Sequence, residues 1–174
     1  MAHLTIEYYS EALCRPVTFR MILPGDRPHP DAVKRPTRTL LLLHGYTGAA
    51  ENWVPEYLTE KYNFAIVMPS GENSFWLDGE ATGRKFCTFV GQELIGCLRR
   101  TFSLATRREE TYVMGLSMGG FGALHTGYAW PENFGKVCAM SPAMIVHDVA
   151  KMKPGDGTHL ANYAYYRECF GDPE

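Results

Sequence analysis

The sequence predicts an α/β fold: a mostly parallel, doubly wound sheet with an antiparallel hairpin at its N-terminal end. Three observations carry this. Two continuous apolar runs, residues 39–43 and 64–68, show no alternation, as strands covered by helices on both faces do. Segments between and after them place apolar residues at helical spacing. Residues 111–125 read as a short buried strand, one very sharp turn and a helix.

Taken in order, residues 3–9 and 16–23 mix β-branched, aromatic and polar residues in rough alternation and form the hairpin, half-exposed at the sheet edge. Residues 24–36 are rich in proline and charge, which predicts a surface loop with His29 exposed. Strand 39–43 breaks into His44-Gly45-Tyr46-Thr47-Gly48. Residues 50–62 carry Trp53, Val54, Leu58 and Tyr62 near helical spacing, with Pro55 in an irregular first turn. Strand 64–68 is closed by Pro69-Ser70-Gly71, and the long polar loop 72–83 holds Phe75 and Trp76. That composition suits the wall of a binding pocket, although an aromatic that anchors the loop reads equally well. Residues 89–102 form an amphipathic helix with Val90, Leu94, Leu98 and Phe102 on one face, acids leading and arginines trailing as the helix dipole prefers. The charge run Arg107-Arg108-Glu109-Glu110 cancels itself in a loop. Residues 136–140 read as another buried strand ending in Ser141-Pro142; the pattern then loosens through 151–157 before a last short helix, 160–170.

The apex of the sharp turn is Ser117. Gly115-Leu116-Ser117-Met118-Gly119 satisfies G-x-S-x-G, the nucleophile elbow, in which serine takes a strained backbone conformation that lifts its hydroxyl clear of the sheet. The pattern needs a strand before it and a helix after it. Tyr112-Val113-Met114 supplies the first, and Phe121, Ala123, Leu124 and Tyr128 the second, before Trp130-Pro131 stops the helix. A strand running into His44-Gly45 and a second glycine is where such folds place half of an oxyanion hole, so the N–H groups of Tyr46 and Met118 are the candidate donors. His44 reads as a hydrogen-bonded structural side chain more readily than as a proton carrier; with Trp76 it is also a candidate contact for substrate.

Composition narrows the remaining classes. At 174 residues, 45% hydrophobic, the chain has ample core, and its length favours one domain over residues 1–174, with 142–174 as the start of a cap or connecting region. A net charge of -2 leaves no electrostatic footprint for nucleic acid or an anionic membrane. The first ten residues lack a basic segment followed by an apolar core, and no apolar run is long enough to span a bilayer, which together point to the cytoplasm. Cys14, Cys87, Cys97, Cys138 and Cys169 are scattered, with no C-x-x-C and no metal-ligand spacing, and read as reduced, mostly packed thiols; no metal or organic cofactor is implied.

With Leu41-Leu-Leu-His-Gly-Tyr-Thr-Gly48, residues 64–71, Gly83-Arg-Lys-Phe-Cys-Thr-Phe89 and Gly115-Leu-Ser-Met-Gly-Gly-Phe-Gly-Ala123 in this order, the chain resembles the putative-esterase family of α/β-hydrolases. That family takes in tributyrin esterases, S-formylglutathione hydrolases (esterase D) and mycolyltransferases. The resemblance is closest to small tributyrin-type esterases. It implies a serine carboxylesterase acting on small acyl esters or thioesters, with Ser117 as nucleophile and the amides of Tyr46 and Met118 as oxyanion donors. It also places the triad's acid and histidine after two further strands, and no residue here matches either. Both are therefore unassigned, and the 174 residues are expected to be the N-terminal part of a longer esterase, with the last strands missing.

Downstream of Ser117 lie His125, His147 and His159, with Asp148, Asp156 and Asp172. The order Ser117, Asp148 or Asp156, His159 is formally that of a triad, yet surface histidines are the preferred reading, and His125 falls two turns along the elbow helix, pointing away from the serine. The competing class is a catalytically incomplete hydrolase or an interaction domain. A sheet ending at residues 136–140 would expose an apolar edge, which predicts a homo-oligomer or edge-strand pairing.

Overall fold

The computed structural model describes residues 1–25 and 37–171. Six strands form one sheet in the order β1-β2-β4-β3-β5-β6. β1 (Ala2–Ser10) and β2 (Arg15–Leu23) form the expected antiparallel hairpin, and β2 runs antiparallel to β4 (Phe64–Pro69). β3 (Arg38–Leu43), β4, β5 (Thr111–Leu116) and β6 (Lys136–Met140) are parallel. The missing alternation in β3 has its physical cause here: Leu41 and Leu43 enter one buried cluster with Phe19, Val67 and Val113, while Leu42 enters another with Ile22, Ile66 and Met68. The proline-rich segment from residue 26 to 36, with His29, lies outside the described residues.

Helices cover both faces, with bounds that depart from the expected ones for local reasons. α1 (Tyr57–Tyr62) is half the length of the expected 50–62. Upstream, Asn52 folds on itself, its Oδ1 accepting the Val54 N–H (3.2 Å) and its Nδ2 donating to the Val54 carbonyl (2.8 Å), and Pro55 follows. Trp53 and Val54 still pack on the second cluster without being helical. α2 (Phe86–Thr88), a π-helical segment (Phe89–Leu94) and α3 (Ile95–Phe102) run on from one another. The π segment presents Glu93 to the hairpin turn, where its carboxylate accepts from the Ser10 hydroxyl (2.9 Å), the Ala12 N–H (3.0 Å) and the Glu11 N–H (3.2 Å). α4 (Met118–Ala129) follows β5, α5 (Val146–Val149) is one turn, and α6 (Tyr163–Phe170) starts later than the expected residue 160 because Asn162 caps it, accepting the Tyr165 N–H at 3.0 Å.

One strand was expected to be buried and is not. Among the described residues β6 pairs with β5 alone, and Val137 (37% exposed), Cys138 and Met140 (41% exposed) are open to solvent. Its apolar residues reflect an edge without a neighbouring strand among the described residues, and an edge cannot be told from a central strand by composition. Of the five cysteines, Cys87, Cys97 and Cys169 are buried, whereas Cys14 and Cys138 are exposed. Arg107 pairs with Glu109 (3.9 Å) and Glu110 (3.7 Å), so the charge run does cancel itself, as a short 3-10 turn.

The π segment also leaves Gly91 under the Trp130 indole, and a Cβ at that glycine would fall inside the ring. Gly91→Ala is expected to lower stability by about 1–3 kcal/mol, overpacking outweighing the better helix propensity. A shift of the urea midpoint at unchanged m-value is the measurement that checks it.

Candidate active site

The sheet order reverses between β3 and β5, since β4 lies on one side of β3 and β5 on the other. In open parallel sheets the crevice at the C-terminal ends of such a pair is where ligands bind. Both chain segments singled out above emerge there: His44 onward from β3, Ser117 from β5.

Ser117 links β5 to α4 at φ 55, ψ -115, a conformation L-residues rarely adopt. It is held from three sides: its N–H donates to the Met140 carbonyl (2.9 Å), and its carbonyl accepts from Phe121 and Ala143 (both 3.0 Å). The flanking glycines are needed for closeness. A Cβ on Gly115 would collide with the Gly119 carbonyl, and one on Gly119 with the Leu43 carbonyl of β3. The side chain of Ser117 is exposed, and no described group hydrogen-bonds its hydroxyl.

Opposite the elbow, Gly45 approaches so closely that a Cβ there would lie 3.6 Å from the Ser117 Cβ. The loop bends back at once, with the Gly48 N–H on the Gly45 carbonyl (3.0 Å) and Thr47 at φ 62. His44 is 3% exposed, and both ring nitrogens are engaged. Nε2 accepts the Gly71 N–H (2.9 Å), so the proton sits on Nδ1, which donates to the Gly45 carbonyl (2.8 Å). A trans peptide points its N–H opposite to its C=O, so pulling the Gly45 carbonyl toward His44 and Gly48 turns the Tyr46 N–H the other way. Among the described residues neither that N–H nor the N–H of Met118 has an acceptor. His44 is therefore a buried strut and does not line the cavity, which corrects its reading as a substrate contact.

Trp76 is corrected for the same reason. It is fully buried, packs against His44 with ring centroids 5.0 Å apart and planes tilted by 60°, donates from Nε1 to the His44 carbonyl (3.2 Å) and fills the space left by Gly71 and Gly122. Its neighbour Phe75 does reach the pocket. Both residues have positive φ (52 and 59), and this pair of left-handed residues sends one aromatic inward and the other toward the cavity.

The cavity itself, about 540 Å³, is bounded by Ser117, Met118, Tyr46 and Phe75 and by the 143–166 segment. Ile145, Val149 and Met152 make its apolar side, and the hairpin closed by the Gly157–Asn162 bridge makes the rim. Thr158 holds that hairpin: its Oγ1 accepts the N–H groups of Leu160 (3.1 Å) and Ala161 (3.2 Å) and lies 2.9 Å from the Tyr166 hydroxyl. Asp148, Asp156 and His159 line the same cavity as Ser117. Asp156 accepts the Lys153 N–H at 2.8 Å, and neither it nor Asp148 is hydrogen-bonded to His159. His125 lies off the cavity, stacked on Phe121 at 6.2 Å, and His147 is exposed on α5. Asp172 lies outside the described residues. The sequence held no signal for the rim, because Thr158 and Tyr166 belong to no motif and meet only through the fold. Among the described residues no cluster has the makeup of a metal site, and no helix is long and apolar enough to cross a membrane.

A crevice at the strand ends, a serine strained between strand and helix, and two free amides beside it define the α/β-hydrolase class of serine hydrolases. Within that class the chain belongs to the putative esterase family, whose sequence model matches residues 10–168, and is thereby a carboxylic-ester hydrolase by family. It is 41% identical over 180 residues to the acetyl esterase of Caldicellulosiruptor saccharolyticus, matching 99% of this chain and 68% of that protein. In fold it is similar to the fluorophosphonate-binding serine hydrolase F of Staphylococcus aureus (TM-score 0.77, 19% identity, 98% of this chain and 66% of that one). The S-formylglutathione hydrolase of Staphylococcus aureus is also similar (TM-score 0.72, 20% identity, 99% of this chain and 70% of that one). The chain spans about two thirds of the length of these relatives.

Burial pushes the pKa of His44 down, partly opposed by the Gly45 hydrogen bond and by Glu51; burial does the same to His125, opposed by Asp78. The unfolded chain protonates these rings near the ordinary 6.5, the folded one only at lower pH. Stability is therefore full above about pH 6.5 and falls as the pH drops through that value toward the folded pKa. Unfolding free energies measured across that range should show this slope, and His125→Leu, which removes an exposed ring and keeps the buried His44, should leave most of it in place.

Proposed function

We propose that Ser117 is the nucleophile of a serine carboxylesterase acting on small acyl esters, tributyrin-type esters or thioesters among them. The observation that carries this is the strained Ser117, its hydroxyl open to a cavity of about 540 Å³ between the unpaired N–H groups of Tyr46 and Met118. Ser117 Oγ adds to the ester carbonyl carbon and passes its proton to a base. The carbonyl oxygen becomes an oxyanion facing the two amides, the Met118 N–H lying at the positive end of α4. The C–O bond to the alcohol breaks, the alcohol leaves with the proton, and water then releases the acid from the acyl-enzyme by the same steps. Ile145, Val149 and Met152 give the cavity the apolar side that a short acyl chain prefers. Residues 142–171 act as its cap. Five free thiols support a reducing, cytoplasmic setting.

The base is assigned to a histidine outside the described residues, because no side chain among them is hydrogen-bonded to the Ser117 hydroxyl. A second reading is favoured by one observation: His159 lines the same cavity as Ser117, with Asp148 and Asp156. In that reading the rim hairpin carries the base.

Labelling with a fluorophosphonate, alongside p-nitrophenyl acetate turnover, tests the proposal. Ser117→Ala should lose labelling and at least about three orders of magnitude of turnover. Labelling that survives in Ser117→Ala removes Ser117 as the nucleophile. His159→Ala should leave the rate within about twofold if the base lies elsewhere; a loss like that of Ser117→Ala selects the second reading.

A further inference from the structure

We infer that Asn73 is a positioning residue that aims the Tyr46 N–H at the cavity; the inference rests on the reading of that N–H as an oxyanion donor. Two peptide planes meet at Tyr46. The plane before it is set by the Gly45 carbonyl, which accepts from His44 Nδ1 and from the Gly48 N–H. Among the described residues the plane after it is set by one contact: the Thr47 N–H donates to Asn73 Oδ1 at 2.8 Å. The other ties between residues 71–76 and this loop end on His44, at its Nε2 or its carbonyl. Among the described hydrogen bonds from residues 71–76, that of Asn73 alone reaches past Gly45.

That contact works against strain. Thr47 sits at φ 62, where a β-branched side chain is crowded by its own backbone, and it would relax to negative φ if released. Relaxation rotates the Tyr46–Thr47 peptide, draws Gly48 away from the Gly45 carbonyl and frees the Gly45–Tyr46 plane on which the N–H direction depends. Asn73 is itself held, its carbonyl accepting from Cys169 Sγ of α6 at 3.5 Å, so the loop is referenced to the same helix that bears Tyr165 and Tyr166 on the cavity wall. A carboxamide suits the place because it accepts without adding negative charge beside a developing oxyanion.

The test uses the full chain with Asn73→Leu, close in shape but unable to accept, and Asn73→Asp, which accepts. Amide hydrogen exchange followed by NMR reads the contact without catalysis: Thr47 should lose protection, and the Tyr46 amide resonance should move, in Asn73→Leu, with Thr47 protection restored in Asn73→Asp. Turnover of p-nitrophenyl acetate by Asn73→Leu should fall roughly three- to tenfold in kcat at unchanged KM, the scale of one hydrogen bond lost from a transition-state contact. Unaltered Thr47 and Tyr46 amides, or a rise in KM with kcat intact, overturn the inference. If the full-length protein, with the histidine that serves as base, neither labels nor turns over, the esterase reading of Ser117 fails, while the amide data still decide whether Asn73 holds the loop.

Discussion

Everything at the cavity depends on how closely α4 approaches the ends of β3 and β5. The helix starts directly after Ser117, with no room for a linker, and its first turn lies on the carbonyls of Leu43 and His44. Only glycine fits at 115 and 119, and only a left-handed Ser117 joins a strand to a helix at that separation. The cost of the strained residue, of the order of 1–3 kcal/mol, is met by its surroundings: three backbone hydrogen bonds reach Ser117 from Met140, Phe121 and Ala143. Two of those partners flank the end of β6 rather than the elbow, so the strand at the sheet edge helps to hold the serine in place.

The opposite wall uses a buried polar side chain for the same purpose. His44 would be costly to bury with a free ring nitrogen, and it has none: one nitrogen accepts from Gly71 and the other donates to Gly45. Trp76 seals it from above and takes the His44 carbonyl with its indole N–H. These contacts commit a neutral imidazole to architecture, and burial, which lowers its pKa, keeps it neutral. A residue at the edge of the cavity, at the start of the loop after β3, thus shapes the site without facing it.

The third wall is the least regular part of the chain. Between β6 and α6, residues 141–162 form one short helix and a pinched hairpin, yet they supply most of the cavity lining. The helix that follows them, α6, is held by aromatic packing: Phe75 lies within 6.4 Å of Phe121, Tyr165, Tyr166 and Phe170, and Tyr46 meets Tyr165 at 5.7 Å. α6 is thus held to α4 and to the loop after β3 through rings, while residues 141–162 reach these through the Ala143 N–H on the Ser117 carbonyl and the Tyr46 hydroxyl on the Leu160 carbonyl.

The sequence by itself determined the mostly parallel sheet with its N-terminal hairpin, the elbow at Ser117, and the loop after β3 that faces it. Those features are written in short-range patterns: unbroken apolar runs, glycines at fixed offsets from a serine, and a switch from strand to helical spacing. Only the tertiary structure decided which aromatic of the 72–83 loop faces the cavity, that His44 braces a peptide, that β6 is an exposed edge, and that Asp148, Asp156 and His159 share a cavity with Ser117. Each of these turns on what lies across the fold. Phe75 and Trp76 are adjacent and alike in chemistry, and the left-handed turn at both, with Gly122 waiting beneath, assigns their directions. An apolar strand looks the same in sequence whether one neighbour pairs with it or two. The rim is held by Thr158 and Tyr166 and the loop after β3 by Asn73 and Thr47, pairs of ordinary polar residues whose meaning arises only when separate segments are brought within hydrogen-bonding distance.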